Sequence, residues 1–402
     1  MSRSTFVLLC AIAAVAPGSS AQWDISGSAE LEVRVFPENP AYSDQRNATF
    51  SPSGAIQPEF VYEWNDGGER LTFEPYLRID AHDDERSHFD IREGSYLHLA
   101  DTWDATIGIS RVFWGVTESV HLVDIVNQTD GVEDIDSEDK LGQPMLNLNW
   151  YHRSGDYSFF VLPGFRARTF PGDDARRRGP FPIDVHRVTY DSGAEKEHVD
   201  FAFRWFRTFG DWDVAVSDFY GTSREARLMP QIGMTGVQSL RPHYDIIHQI
   251  GAEVQYTKDA WLWKFEGISR TGHGDQFYAG VVGFEYTLYQ VFESNADLGL
   301  LLEYQFDDRD DDGSAPFVVS DNDIFAGARL ALNNEASTAI LAGGLFDVDN
   351  HTIAALVEAE HRLSDGWKAE FEARLFLHAD NEDPMFAVHK DDSINFRLKY
   401  SF

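Results

Sequence analysis

Cysteine is nearly absent: Cys10 is the only one in 402 residues. A lone thiol cannot close an intrachain disulfide, so the fold must hold by burial and hydrogen bonding. Long apolar runs are missing as well. After residue 21 no stretch of about 18 apolar residues occurs, which excludes a membrane-spanning helix. Basic residues are outnumbered by acidic ones, 33 to 67, and the formal net charge is −34. That balance excludes nucleic acid as a partner, because phosphate contacts need a basic surface. The mean hydropathy of −0.35 alone suggests a soluble protein. Against it stands an aromatic content of 14%, with 30 Phe.

The amino end reads as a leader. Arg3 gives a positive start, Phe6 to Ala16 form a short apolar run, and Ser19-Ser20-Ala21 offer small residues for cleavage. Residues 1–21 are therefore expected to be a secretory signal peptide, leaving 22–402 as a single domain. Cys10 falls inside the apolar run and away from the cleavage point, so no lipid-modified N-terminus is expected.

At the other end, Ile394, Phe396, Leu398, Tyr400 and Phe402 alternate with Asn395, Arg397, Lys399 and Ser401. A period of two places the apolar set on one face of a strand and the polar set on the other. The chain stops on the aromatic itself. This resembles the C-terminal assembly signal of Gram-negative outer-membrane β-barrels, in which a terminal Phe (here Phe402) and an earlier aromatic (here Tyr400) are presented to the insertion machinery. The resemblance implies an outer-membrane location, with lipid, lipopolysaccharide and the barrel assembly machinery as partners.

The rest of the chain agrees. Alternating segments are expected at 23–36, 57–65, 69–82, 88–101, 104–115, 144–153, 156–170, 198–209 and 212–222. Nine more follow at 245–258, 260–271, 276–290, 297–307, 321–332, 337–348, 351–363, 366–379 and 391–402. Eighteen is an even number, as single-chain bacterial barrels require. Links alternate between long ones and tight turns such as Asn65-Asp66-Gly67-Gly68, which is hairpin chemistry. The expected fold is an all-β, up-and-down antiparallel membrane barrel with both termini at the periplasmic, short-turn side. Nine of the ten Trp then fall near that end, where ring girdles mark a membrane interface, and Trp114 falls at the other.

If the apolar face meets lipid, the polar face lines a lumen. The wall candidates are Arg204, Arg329, Glu358, Glu372 and Arg374. The segment 116–142 mixes Val120, Leu122, Val123, Ile125 and Val126 with an acidic stretch from Glu133 to Asp139. Apolar residues in a loop need cover, which the barrel interior supplies. Porins commonly fold their third loop inward, and this segment has the same ordinal position. Its Trp114-Gly115 followed by Asp124 and Asn127 also resembles a stretch of porin-like families, with Gln128 where Pro is common. The resemblance implies a constriction formed by Glu118, Asp124, Glu133, Asp134 and Asp136.

The function that follows is a passive channel for small hydrophilic solutes, without enzymatic activity, cofactor or metal centre. Porins are often trimers, so a homo-trimer is what the resemblance implies, although no stretch marks a subunit interface. The alternative is an outer-membrane hydrolase built on His82 with Asp83 and Asp84, or on His243 with Asp245 and His248. No nucleophile, base and orienting group stand at a fixed spacing to support it. Asp308-Arg309-Asp310-Asp311-Asp312-Gly313 opens like a calcium loop, but Val319 replaces the required Glu, so an EF-hand is rejected. Arg176-Arg177-Arg178 form a basic cluster with the potential to attract anions.

Overall fold

A computed structural model describes residues 21–234 and 236–402. The expected signal peptide lies almost wholly outside the described residues. The first half of the chain forms β1 (Gln22–Val35), β2 (Phe50–Trp64), β3 (Glu69–Asp80), β4 (Phe89–Leu99), β5 (Trp103–Ser110), β6 (Gln143–His152), β7 (Gly155–Pro163) and β8 (Thr189–Tyr190). Next come β9 (Val199–Phe209), β10 (Trp212–Thr222), β11 (Arg227–Gly233), β12 (Gly236–Tyr244), β13 (Ile246–Lys258) and β14 (Trp261–Gly272). The last are β15 (Gly274–Val291), β16 (Ala296–Asp307), β17 (Asn322–Ala331), β18 (Ala339–Asp347), β19 (Ile353–Ser364), β20 (Trp367–His378) and β21 (Ser393–Ser401).

Eighteen of these strands pair antiparallel with their neighbours, and β21 returns to β1 from Ser28↔Ser401 to Val35↔Ile394. The sheet is therefore a closed barrel with no free edge, the condition for strands to span a bilayer. Alternation explains which side chain goes where. In β1, Leu31 and Val33 are exposed outward, whereas Glu32 and Arg34 are buried inside. The same rule exposes Leu300, Leu302 and Tyr304 of β16 and turns Glu303 and Gln305 inward. Charged residues of both signs then meet across the inner wall, as Arg204 does with Glu253 at 2.8 Å and Arg78 with Glu30 at 3.0 Å.

Rings gather at the short-turn end. Trp23 lies against Tyr62, Trp212 stacks on Tyr256, and Trp261 meets Trp263 and Tyr286. Trp367, Tyr400 and Phe402 continue the girdle to the seam. Phe402 closes the barrel by exchanging two backbone hydrogen bonds with Gly27, each 3.0 Å. A Cβ on Gly27 would stand 2.7 Å from the Gln57 carbonyl oxygen and 2.9 Å from the Phe402 ring, so only glycine fits the seam. The turn at Asn65 and Asp66 places both at φ 55°, which these two residue types tolerate.

Three boundaries differ from the sequence reading by more than two residues, each for a local reason. β2 begins at Phe50 rather than 57, because the stretch Ser51-Pro52-Ser53 reads as loop yet pairs with β1. β5 stops at Ser110. Beyond it the Asn127 side chain accepts from the Val112 N–H at 2.9 Å and donates to the Ser110 and Leu141 carbonyls, replacing strand partners. β7 stops at Pro163, where Gly164 (φ 89°) turns the chain away. The long connections also hold a small sheet that the sequence reading left as loop. β12 pairs with β11 antiparallel and with β8 in parallel, over a cluster of Phe165, Ala226 and Tyr244. Trp114, expected at the long-loop rim, is instead buried in the lumen, edge-on to Phe160.

The facing of β16 gives a direct test. Leu302→Arg should cost roughly 2–4 kcal/mol near the bilayer midplane, measured as a lower urea midpoint for unfolding from lipid vesicles. A midpoint equal to that of the unaltered chain would put Leu302 on the lumenal face.

Candidate functional site: the lumen and its inserted loop

The segment between β5 and β6, residues 111–142, runs inside the barrel. Trp114, Val123, Ile125 and Val126 are buried against Met145, Phe160, Leu162, Ala202, Phe219, Ile247, Ile268, Phe277 and Ala279. Those wall residues come from β6, β7, β9, β10, β13, β14 and β15 and form an apolar patch on this side of the lumen. Each large side chain so buried contributes about 1.5–3 kcal/mol. Val123 and Val126 are completely covered, which meets the sequence expectation that this segment needs a cover.

Two wall carboxylates hold the loop backbone. Glu266 of β14 accepts from the Val116 and Thr117 N–H groups at 2.6 and 3.0 Å and from the Thr117 hydroxyl at 2.6 Å. Glu303 of β16 accepts from the Glu118 and Ser119 N–H groups at 2.8 and 2.9 Å. A charged acceptor on two backbone donors is a strong contact, and it fixes the loop's entry into the lumen.

The acidic stretch is held from the opposite wall. Asp134 faces Arg177 at 3.0 Å, Arg397 of β21 at 3.2 Å, Arg374 of β20 at 3.6 Å and Arg34 of β1 at 4.0 Å. Burial opposes its charge, but these four guanidiniums outweigh it and keep its carboxyl well below the usual range. Glu133 pairs with Arg78 of β3 at 2.8 Å and lies 3.9 Å from Arg86. Arg86 is itself almost wholly buried; it also pairs with Glu32 and Asp80 and donates to the Val132 carbonyl. Asp136 pairs with Arg374 at 2.6 Å, and Glu118 pairs with Arg329 of β17.

The expected site residues thus separate. Glu118, Asp134, Asp136, Arg329, Arg374 and Glu372 come together along β17, β20 and β21. Asp124 turns inward on its own loop, paired with Lys140 at 3.1 Å. Arg204 lies apart from the acidic stretch, bound to Glu253 beneath the Trp114 ring. The Arg176-Arg177-Arg178 cluster is engaged by Asp391, Asp134 and Asp44, so it presents no free cationic face. Sequence reasoning missed Arg86, and it missed the anchoring roles of Glu266 and Glu303. Alternation marks Glu266 and Glu303 as inward, but nothing in the sequence says which loop they would hold.

The space left open follows β17–β20. Toward the long-loop end lies a cavity of about 950 Å³, lined by Phe325, Leu341, Leu345, Leu356 and Phe376 together with loop residues. Toward the turn end lies one of about 520 Å³, lined by Asp134, Asp136, Glu138, Asp139, Glu358, Glu360, Glu370 and Glu372 with Arg329 and Arg397. Asp136, Glu138, Leu341 and Glu358 line both and form the neck between them. Most of these carboxylates are neutralised in place. Glu138, Asp139 and Glu358 have no ion-pair partner among the described residues. Burial, then the charge of Asp136, pushes Glu138 up. Burial, then Glu133, Asp136 and Asp134, pushes Asp139 up to about 7.

Of the residues of the hydrolase alternative, His243 and Asp245 come together, whereas His248 pairs with Asp218 instead. His248 lies on the outer face of β13 with Asp218 at 2.7 Å, while Asp245 is taken by both arms of Arg227. His243 reaches Asp191 and Asp245 at 3.2 and 3.3 Å on the small sheet of the long connections. Asp83 accepts from the backbone of Glu85, Arg86 and Gly172.

Solved structures share the barrel fold. The chain is similar to Wzi, an outer membrane protein involved in group 1 capsule assembly in Escherichia coli and a carbohydrate-binding β-barrel. The TM-score is 0.53 at 7% identity, covering 93% of this chain and 84% of Wzi. The chain has the fold of a closed antiparallel membrane-type β-barrel. It is also similar to an engineered variant of the Rh. blastica porin, with TM-score 0.43 and 10% identity over 95% of this chain and all of that one. Identities this low speak for the fold alone. No protein-family model and no curated protein matches the sequence.

Removing the central carboxylate tests the loop's clasp. Asp134→Ala leaves several buried guanidiniums without their shared partner, a loss of about 3–5 kcal/mol. Limited proteolysis should then cleave within 111–142 much faster than in the unaltered protein, with the strand content unchanged by circular dichroism. Equal cleavage rates would show that the apolar contacts alone hold the loop.

Proposed function

We propose that this barrel is a diffusion channel for small hydrophilic solutes that favours cations, with residues 111–142 setting its narrowest point. One observation carries the reading. Glu138, Asp139 and Glu358 are carboxylates without an ion-pair partner among the described residues, and they line the two adjoining cavities along β17–β20. Paired carboxylates are spent on holding the loop, whereas unpaired ones keep their field for a passing ion. A low-dielectric wall around such a path strengthens that field. Apolar residues in the upper cavity can receive the carbon skeleton of an organic cation, with the acidic neck below it taking the charge. Ring order at the girdle supports keeping Tyr400 and Phe402 as the segment presented to the assembly machinery, since both stand at the closing seam.

The purified protein in a planar bilayer under a potassium chloride gradient should show a reversal potential of the sign for potassium preference. Glu138→Gln, Asp139→Asn and Glu358→Gln together should move that potential toward zero with little change in conductance. Acidification should act in the same direction. A carboxyl raised to about 7 is charged above that pH and neutral below it, so preference should fall between pH 8 and pH 6. A chloride preference, or a potential indifferent to the triple change, would contradict the reading.

A further inference from the structure

Among the described residues, three groups of acidic and histidine side chains have donor atoms within 4.8 Å of one another. Two already contain their cation. His88, Asp130 and Glu133 lie beside Arg92 and Arg78, and Asp191, His243 and Asp245 lie beside Arg227. The third, Asp321, Asp323 and Asp347, forms no salt bridge with any described residue.

That third group sits at the long-loop end of the barrel, where β16 ends and β17 begins. Asp323 and Asp347 are direct cross-strand partners, and both are buried, at 1% and 3% exposure. Two like charges opposite each other on adjacent strands repel, and burial strengthens the repulsion. The Asp323 Oδ2 atom is buried with no hydrogen-bond partner. On its other side stands Gln305 of β16, the cross-strand partner of Asp323. Gln305 is 2% exposed, and its Oε1 is likewise buried and without a partner. This is an independent sign: a neutral amide oxygen left without a donor, in the same row as two carboxylates left without a cation. The row Gln305–Asp323–Asp347, with Asp321 at its rim, supplies only oxygen donors.

We propose that Gln305, Asp321, Asp323 and Asp347 form a binding site for a hard divalent cation, calcium. Oxygen donors of mixed carboxylate and amide type suit calcium, which takes six to eight oxygens in flexible geometry and fills its remaining positions with water. With no nitrogen or sulfur in the set, softer metals are disfavoured. The ion joins β16, β17 and β18 at their exposed ends, beside the apolar upper cavity. The acidic loop 308–313, which the sequence singles out by its calcium-like opening, is not this site. In that loop Arg309 pairs back to Asp307 at the end of β16, Asp308 is engaged by the Tyr278 N–H and Asp312 by the Ser314 N–H.

The test uses the full folded chain in detergent, stripped with a chelator and titrated with calcium chloride by calorimetry, with heat unfolding in parallel. One calcium per chain should bind and raise the unfolding midpoint. Asp323→Asn and Asp347→Asn should each weaken binding by about tenfold or more, since affinity follows the charge of the ligand set. Both variants should unfold no lower than the stripped unaltered protein, because the substitution removes repulsion without changing shape. Asp310→Asn with Asp311→Asn, in the exposed loop, should bind calcium as the unaltered protein does. Absence of binding heat in the unaltered protein, full calcium affinity in Asp323→Asn, or loss of affinity in the loop variant would overturn the assignment.

Discussion

A wide barrel must do something with its interior, and here the decisive interaction is the ionic clasp between the inserted loop and the wall. Asp134 alone stands within 4.0 Å of four arginines drawn from three strands and a distant loop. Taking so many charges out of water is costly, and only close mutual pairing offsets it. The clasp therefore works as a unit. Glu133 with Arg78, Asp136 with Arg374 and Glu118 with Arg329 extend it along the loop. On the far side the loop rests on an apolar wall from β6 to β15. Between wall and clasp the loop has one position, and the open path is what it leaves uncovered.

The lumen is consequently divided into unlike halves. One is packed, with the apolar residues of the loop set against an apolar patch of the wall. The other, along β17–β20, carries an apolar upper cavity above an acidic lower one, joined at a neck where loop and wall carboxylates meet. Charges within it fall into two kinds. Those with partners maintain structure, and the few without an ion-pair partner among the described residues, Glu138, Asp139 and Glu358, are the ones on which the proposed cation preference rests. The total of −34 says little about this division, because many acidic residues are already matched to arginine.

Much of this could be read in the sequence, and the limits have physical causes. A period of two is a local signal, so Leu31 and Glu32 declare their faces without help from any other strand. Hairpin turns are equally local, which is why eighteen segments emerge in the right order. Loop insertion was visible through apolar residues such as Val123 and Ile125, which need cover wherever they go. Strand ends were harder. Ser51-Pro52-Ser53 resembles a loop, and only its pairing with β1 makes it strand. Ser110 ends β5 because Asn127, seventeen positions away, takes over its hydrogen bonds. The partners of buried charges were least legible: Arg177 meets Asp134 across 43 positions and Arg397 meets Glu32 across 365. No spacing rule reaches so far, so Arg204 and Arg374 look equivalent in the sequence although only Arg374 meets the loop's acidic stretch.

The central claim is that the path runs along β17–β20 and not beneath the loop. A single cysteine placed on each side decides it, since Cys10 is the only natural one. Leu341 lies at the neck shared by both cavities, and Leu162 lies fully buried under the loop. With Leu341→Cys in a planar bilayer, a cationic methanethiosulfonate reagent should lower the single-channel current. With Leu162→Cys the same reagent should leave it unchanged. Block at Leu162→Cys with none at Leu341→Cys would place the path on the other side of the loop and contradict the account.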